Sequence, residues 1–208
     1  MVEKNNCSPL CDPLELEVYN NGYEDLLYCK TCSLLHKTNA ENLKKKVIDL
    51  EKFNLNVDEI ISKDIYKKKI SECKSQIYKV IDVTHIEPKK ILDYGCGYGS
   101  FMFGCKELGY DVEGYDININ FTNSLKKYFS TFNSTQDLLS GNRKNSYDLI
   151  FCRKVLNLTP NLYLDFLMFD RLLSNKGVLV ILDHVKNLSK YKSIITQDNN
   201  NTVLLTKQ

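Results

Sequence analysis

Ile91-Leu92-Asp93-Tyr94-Gly95-Cys96-Gly97-Tyr98-Gly99-Ser100 is the stretch on which the fold turns. An apolar run, read as the strand Lys90–Asp93, meets three glycines at alternate positions. Glycines at such a bend let the backbone turn sharply and approach a ligand with no Cβ in the way. The following run, Ser100–Leu108, is helical in pattern and stops at Gly109. The first turn of that helix offers free N–H groups to a polar or anionic moiety. Asp111–Tyr115 then reads as a second strand ending at Asp116, 23 residues beyond Asp93. A carboxylate at the end of that strand can accept hydrogen bonds from both hydroxyls of an adenosine ribose. A glycine-rich loop alone is weak evidence; strand, loop, helix, strand and acid in this order is specific.

Outward from this core, strand-like and helical runs alternate from Lys89 onward, the pattern of a parallel sheet with crossover helices. Phe121–Phe129 reads as a helix, and a polar third strand lies within Ser130–Thr135. Tyr147–Cys152 is a fourth strand, Pro160 opens a helix running to Leu173, and Gly177–Asp183 is a fifth strand whose continuous apolar run indicates burial on both faces. Tyr191–Thr196 and Thr202–Lys207 flank Gln197–Asn201 as a closing hairpin. The expectation is an α/β, Rossmann-like, seven-stranded sheet, mostly parallel with a closing antiparallel hairpin, spanning 89–208. Residues 40–88 read as a helical linker or cap. Within them Ile61, Ile65, Ile70, Cys73, Ile77 and Ile81 form one apolar stripe on a long helix packed against the sheet.

The glycine stretch resembles the first motif of the class I S-adenosylmethionine-dependent methyltransferases, in which an acid stands two positions before a Gly-x-Gly pair. Asp93, Gly95, Gly97 and Gly99 fill that motif. The resemblance implies that the loop, with Tyr94, wraps the methionine end of the cofactor. It implies further that Asp116 holds the ribose, that Ile117 packs on the adenine, and that Asp137 contacts the adenine amino group. Tyr147–Asn157 looks like the family's fourth strand and exit loop, and Leu172–Ile181 like the approach to its fifth. Cys152, at the end of the fourth strand, is taken as a cofactor contact as well as a small buried hydrophobe, the reading it shares with Cys73, Cys96 and Cys105. A nicotinamide dinucleotide domain is the rival, but its Gly-x-Gly-x-x-Gly fingerprint would need glycine where Ser100 stands.

Residues 1–39 carry two close cysteine pairs, Cys7-x3-Cys11 and Cys29-x2-Cys32, separated by 17 residues. Four thiolates from two tight turns suit tetrahedral zinc, which can order a segment too small to fold on its own core. Leu27–His36 resembles the second knuckle of zinc ribbons that precede certain sugar C-methyltransferases and a group of ribosomal-RNA guanine methyltransferases. Three residues rather than two between the first cysteines, and Ser33 where glycine is common, depart from that pattern. Metal-free thiols are the bland alternative, and His36 is a substitute ligand. Zinc held by four cysteines would be structural, leaving no open position for catalysis.

The net charge of +2 is nearly neutral and singles out no nucleic-acid partner. No apolar run approaches the roughly 18 residues of a membrane span, and the N-terminus has no signal-peptide core, so the cytoplasm is expected. Acceptor-side candidates are Arg153, Lys154, Asn157, Asp183 and His184, at the carboxyl ends of the fourth and fifth strands. His184 is the candidate base, because its unperturbed pKa lies near working pH. Asn157-Leu158-Thr159-Pro160 is not the Asp/Asn-Pro-Pro-aromatic motif of methyltransferases acting on nucleobase amino groups. The leading expectation is methyl transfer to a small or sugar-linked acceptor. An RNA or protein methyltransferase that docks its substrate through the ribbon, and a non-catalytic cofactor-binding subunit that activates a partner, are the alternatives.

Overall fold

The structure is a computed structural model that describes residues 57–140, 143–156 and 162–182, and the backbone of strands 16–20, 25–29, 35–37 and 202–206. Near the N-terminus, β1 (Leu16–Asn20), β2 (Asp25–Cys29) and β3 (Leu35–Lys37) form an antiparallel sheet in that order. The sequence reading had assigned no strands there.

The larger sheet contains β4 (Lys90–Tyr94), β5 (Asp111–Tyr115), β6 (Ser130–Phe132), β7 (Tyr147–Arg153), β8 (Leu173–Leu182) and β9 (Thr202–Thr206). Its spatial order is β6-β5-β4-β7-β8-β9. The first five strands are parallel, and β9 runs antiparallel against β8. This matches the expected mostly parallel sheet with an antiparallel close. Tyr191–Thr196, the other strand of the expected closing hairpin, lies outside the described residues.

Strand periodicity sorts the core into two layers. Ile91, Val112, Leu149, Phe151, Val178 and Val180 face one way, into a core shared with α2 (Asp64–Thr84), α3 (Ser100–Glu107) and α4 (Ile119–Leu125). Leu92, Tyr94, Ile150, Cys152, Leu179 and Ile181 face the other way, toward α5 (Thr135–Leu139) and α6 (Leu162–Leu172). Burial on both faces explains why β7 and β8 are apolar runs rather than alternating ones.

The long helix expected in 40–88 is interrupted. A short α1 (Val57–Ile61) ends before Lys63, and α2 begins at Asp64. The buried stripe of α2 is Tyr66, Ile70, Cys73, Ile77 and Val80, at alternating steps of four and three. Ile65, placed on the stripe from sequence, is instead 69% exposed. The rest of the expected stripe holds: Ile70, Cys73 and Ile77 are buried, and Ile61 and Ile81 pack against the core that Cys73 and Ile77 enter. The five buried side chains, each contributing roughly 1.5–3 kcal/mol, suffice to pin a helix whose other faces carry lysines.

Two further boundaries moved. The helix expected at Phe121–Phe129 starts at Ile119, because Asn118 accepts the Asn120 N–H and caps it. β8 starts directly after α6 at Leu173, with a register shift between Tyr147 and Leu149 on its partner. Lys176 takes φ +69° at that irregularity, so the segment preceding Gly177 is a bulged start of the strand.

Candidate active site at the sheet switch point

β4 lies between β5 and β7, and the connections leave it in opposite directions on the two sides. In open α/β sheets this is where the carboxyl ends of the strands open a crevice for a ligand. The glycine loop closes one wall of that crevice. Gly95, Gly97 and Gly99 all have positive φ, at +82°, +51° and +78°. A Cβ on Gly95 would stand 2.7 Å from Val155 Cγ2, and one on Gly99 2.7 Å from Leu125 Cδ2. Those two glycines are therefore required by the protein's own packing. Gly97 differs: nothing lies within 4 Å of where its Cβ would be. Its surroundings are open, as a backbone facing a ligand needs.

The loop is tied down from three sides. Gly95 N–H and Cys96 N–H both donate to Tyr115 O, at 2.7 and 2.9 Å. Gly97 N–H donates to Asp116 Oδ2 at 2.8 Å, while Asn118 N–H donates to Asp116 Oδ1 at 2.9 Å. From α2, the Tyr66 hydroxyl donates to Tyr98 O at 2.6 Å. The Tyr98 ring packs on Phe121 with centroids 4.5 Å apart. Tyr66 was not recognised as a site residue from sequence, because a tyrosine on a helix stripe reads as core; only the polar tip, which needs a buried partner, signals otherwise.

Asp93 is 1% exposed, and neither carboxylate oxygen has a hydrogen-bond partner. Burial pushes its pKa up to about 6; the Arg153 guanidinium pulls it down and the Asp116 carboxylate pushes it up. Asp116 is likewise raised by burial, against the pull of its two backbone N–H donors. Two carboxylates thus stand at adjacent strand ends, one hydrogen-bonded to the loop and one bare. A bare buried carboxylate is costly unless something cationic or hydrogen-bond-donating meets it. The arrangement fits a ligand with a cationic group at Asp93 and a diol at Asp116. That is the donor set of S-adenosylmethionine or S-adenosylhomocysteine.

The other expected cofactor residues are placed as follows. Ile117 follows Asp116 and is 62% exposed, an apolar surface at the crevice edge. Asp137 stands in the first turn of α5 with its backbone N–H held by Ser134 Oγ at 3.0 Å. Tyr94 points into the opposite core layer, where its hydroxyl donates to Asp165 Oδ1 at 2.8 Å and its ring stacks on Tyr115 at 4.7 Å. Cys152, beside Tyr94 in register, is fully buried in the same layer. Only the backbones of these two could face the crevice. Cys96 and Cys73 are buried thiols whose pKa burial raises, which suits packing rather than nucleophilic attack.

On the acceptor side, Arg153 ends β7 and Lys154 follows, exposed and at φ +53°, its N–H bonded to Leu182 O at 3.0 Å. Asn157, Asp183 and His184 lie outside the described residues, as do Cys7, Cys11 and Cys32. Cys29 ends β2, opposite Leu16. Among the described residues there is no cluster able to hold a metal ion and no helix long and apolar enough to cross a membrane.

No curated protein matches the chain. Solved structures do, at low identity. The plantazolicin methyltransferase BpumL, solved with a monoazolic desmethylPZN analog and SAH, shares 18% identity over 68% of this chain and 62% of its own, with a TM-score of 0.48. A SAM-dependent methyltransferase from Archaeoglobus fulgidus shares 23% over 54% and 52%, with a TM-score of 0.43. PH0226 from Pyrococcus horikoshii shares 20% over 70% and 73%, with a TM-score of 0.46. The chain spans only 46% of a similar chain from Galdieria sulphuraria. The profile of one family, described as a methyltransferase domain, matches residues 66–202, from the first turn of α2 to the start of β9. By that match over most of its length, the chain belongs to the methyltransferase-domain family.

Proposed function

We propose that the chain transfers a methyl group from S-adenosylmethionine to a small or sugar-linked acceptor. The observation that carries the cofactor assignment is the bare, fully buried Asp93 beside a loop whose Gly97 faces open space. In this reading Asp93 receives the ammonium of the methionyl end, and Gly95–Gly99 let that end lie against the backbone. Asp116 accepts from the ribose hydroxyls with the lone pairs its two N–H donors leave free. Ile117 covers one face of the adenine, Asp137 takes the adenine amino group, and Tyr94 and Cys152 contribute backbone only.

When bound, the cofactor supplies a sulfonium methyl that an acceptor lone pair attacks in line, the carbon–sulfur bond breaking as its electron pair returns to sulfur. What the chain's own residues do is align and exclude. The loop, fixed at Tyr115 O, Asp116 and Tyr66, holds the donor so that the acceptor meets it from the open side of the crevice. His184 serves as base where the acceptor carries a proton that must leave.

We propose also that Cys7, Cys11, Cys29 and Cys32 hold a structural zinc that orders the N-terminal segment as a substrate lid. Residues 1–39, 40–88 and 89–208 are the corresponding module, linker and catalytic domain. The modest charge of the chain supports a small acceptor over RNA. The deciding experiment incubates the protein with methyl-labelled S-adenosylmethionine and three acceptor pools: small and sugar-linked metabolites, RNA, and protein. Label entering the first pool supports the proposal. Label confined to RNA or protein replaces it with a macromolecular acceptor. Cofactor binding with no transfer to any pool leaves a non-catalytic subunit.

A further inference from the structure

The turn that leaves β7 is built on a lysine in a conformation lysine adopts at a steric cost. Lys154 has φ +53°, the left-handed region in which Cβ crowds the following carbonyl oxygen. Glycine would make the same turn without strain. Three other non-glycine residues share this region among those described. His85 is the C-cap of α2 with its N–H on Ile81 O, and Asn145 is of a type that tolerates the conformation. Lys176 stands in the bulged start of β8, at the opposite end of the sheet. Lys154 alone of the four lies at the carboxyl ends of the strands, where a strained residue points to function. Lys176 shows that strain by itself is not enough, so the surroundings of Lys154 decide.

Its backbone is fixed on both sides. The Lys154 N–H donates to Leu182 O at 3.0 Å, one bond beyond the Arg153–Leu182 pair of the β7–β8 ladder. Val155 then turns back onto the glycine loop, where a Cβ on Gly95 would stand 2.7 Å from Val155 Cγ2, and Leu156 is buried in the layer under α5 and α6. Arg153 is drawn the other way: one Nη donates to Cys73 Sγ at 3.0 Å, and Cζ lies 5.3 Å from the Phe101 centroid. The Lys154 side chain does none of this. It is exposed, and among the described residues it makes no hydrogen bond or ion pair. An uncommitted ammonium is thus left on a rigid turn between the glycine loop and the end of β8. The donor side of the crevice carries the acids Asp93 and Asp116; the described charges at the exit of β7, Arg153 and Lys154, are both cations.

We propose that Lys154 recognises the methyl acceptor, and that the acceptor is a small molecule bearing an anionic oxygen group, a carboxylate or a phosphate. An ammonium is a compact charge with three donors, and it pairs with either group without the planar match that a guanidinium fork makes. The inference rests on the methyl-transfer reading above and narrows its acceptor from small or sugar-linked to small and anionic. It also gives the left-handed lysine a reason: the turn that packs Val155 on Gly95 places residue 154 at the opening, and the side chain there is kept for its charge although glycine would fold more easily.

The full chain is first titrated with S-adenosylmethionine, then incubated with the methyl-labelled cofactor and a small-metabolite extract. The products are separated by charge into cationic, neutral, carboxylate-bearing and phosphate-bearing fractions. Label is expected in one of the two anionic fractions, and which one identifies the anion. With that fraction as substrate, Lys154→Met raises the apparent acceptor KM at least about tenfold while the cofactor Kd stays within about twofold. Lys154→Arg, which keeps the charge, stays within about threefold of the parent. Lys154→Gly loses the acceptor as Lys154→Met does yet melts no lower than the parent, so the loss is not one of folding. Lys176→Met, which removes an equally exposed left-handed lysine at the far end of the sheet, changes neither value. Added salt raises the wild-type KM and has little effect on that of Lys154→Met. Label confined to the cationic or neutral fractions, or to RNA or protein, overturns the proposal. So does a KM that Lys154→Met leaves unchanged or that Lys176→Met raises as much. Cofactor binding with no label in any fraction overturns it too, whereas a folded protein that does not bind S-adenosylmethionine fails earlier, at the cofactor reading.

Discussion

Asp93→Asn makes the ligand-free protein more stable and the cofactor weaker, and both effects follow from one bare carboxylate. Burial raises Asp93 from an ordinary 3.8 to about 6. For an acid, a raised folded pKa means that the unfolded chain releases its proton first as pH rises. Stability therefore falls between about pH 4 and 6 and stays reduced above that window. A difference of two units, at 1.36 kcal/mol each, amounts to about 3 kcal/mol at pH 8 and about 0.5 kcal/mol at pH 4. The amide keeps the shape of the protonated acid and never ionises. Urea unfolding of both proteins at pH 4, 5, 6 and 8 isolates this residue, because every other carboxylate is common to the two. The stability difference in favour of the variant is expected to grow from about 0.5 kcal/mol at pH 4 to about 3 kcal/mol at pH 8. At pH 8 the same variant loses at least tenfold in affinity for S-adenosylmethionine, since a charged partner of the ammonium has become neutral. A variant that is less stable than the parent at pH 8, or a difference that does not change with pH, would refute the reasoning that Asp93 is held ionised at a cost.

Further outcomes follow from the same geometry. Gly97→Ala is expected to lower stability by about 1 kcal/mol for its positive φ, because its Cβ meets no protein atom, yet to abolish cofactor binding; thermal unfolding and titration on one sample separate the two. Gly99→Ala combines a positive φ with a 2.7 Å clash against Leu125 and is expected to lose stability and binding together. Tyr66→Phe leaves the Tyr98 carbonyl without its donor, costing about 1–3 kcal/mol by denaturant unfolding and raising the cofactor Kd. Purified protein is expected to carry one zinc per chain by elemental analysis, and mutation of Cys29 to serine is expected to release it; metal-free protein after zinc-supplemented expression would leave the four thiols unliganded.

The parts of this molecule that were legible in its sequence are those where a local rule has one solution. Alternate glycines between a strand and a helix admit only a tight bend, and all three have the positive φ that such a bend requires. The runs Tyr147–Cys152 and Gly177–Asp183 read as strands, and the unbroken apolar run of the second indicates burial on both faces, as Val178–Ile181 show. On α2 the stripe is legible at Ile70, Cys73 and Ile77, while its first position falls on Tyr66 rather than Ile65, because burial depends on which face meets α3 and not on hydropathy alone. Asp93 was legible as a motif residue, but its lack of partners was not, since satisfaction of a buried group depends on atoms brought from α2, α3 and β7. Arg153 was legible only as a strand-end cation. Its bond to Cys73, 80 residues earlier in the chain, is a property of the packed fold.

In the proposed reading the glycine loop and Asp116 form a site for an adenosyl sulfonium cofactor. Calorimetric titration of the full chain with S-adenosylmethionine, S-adenosylhomocysteine and NAD, repeated on Asp116→Ala, tests it most directly. Both adenosyl compounds are expected to bind and NAD to give no heat, and the substitution is expected to weaken binding at least about thirtyfold, the loss of one or two hydrogen bonds to a charged acceptor. A folded protein that gives no heat with either adenosyl compound, or that binds NAD in their place, would contradict it.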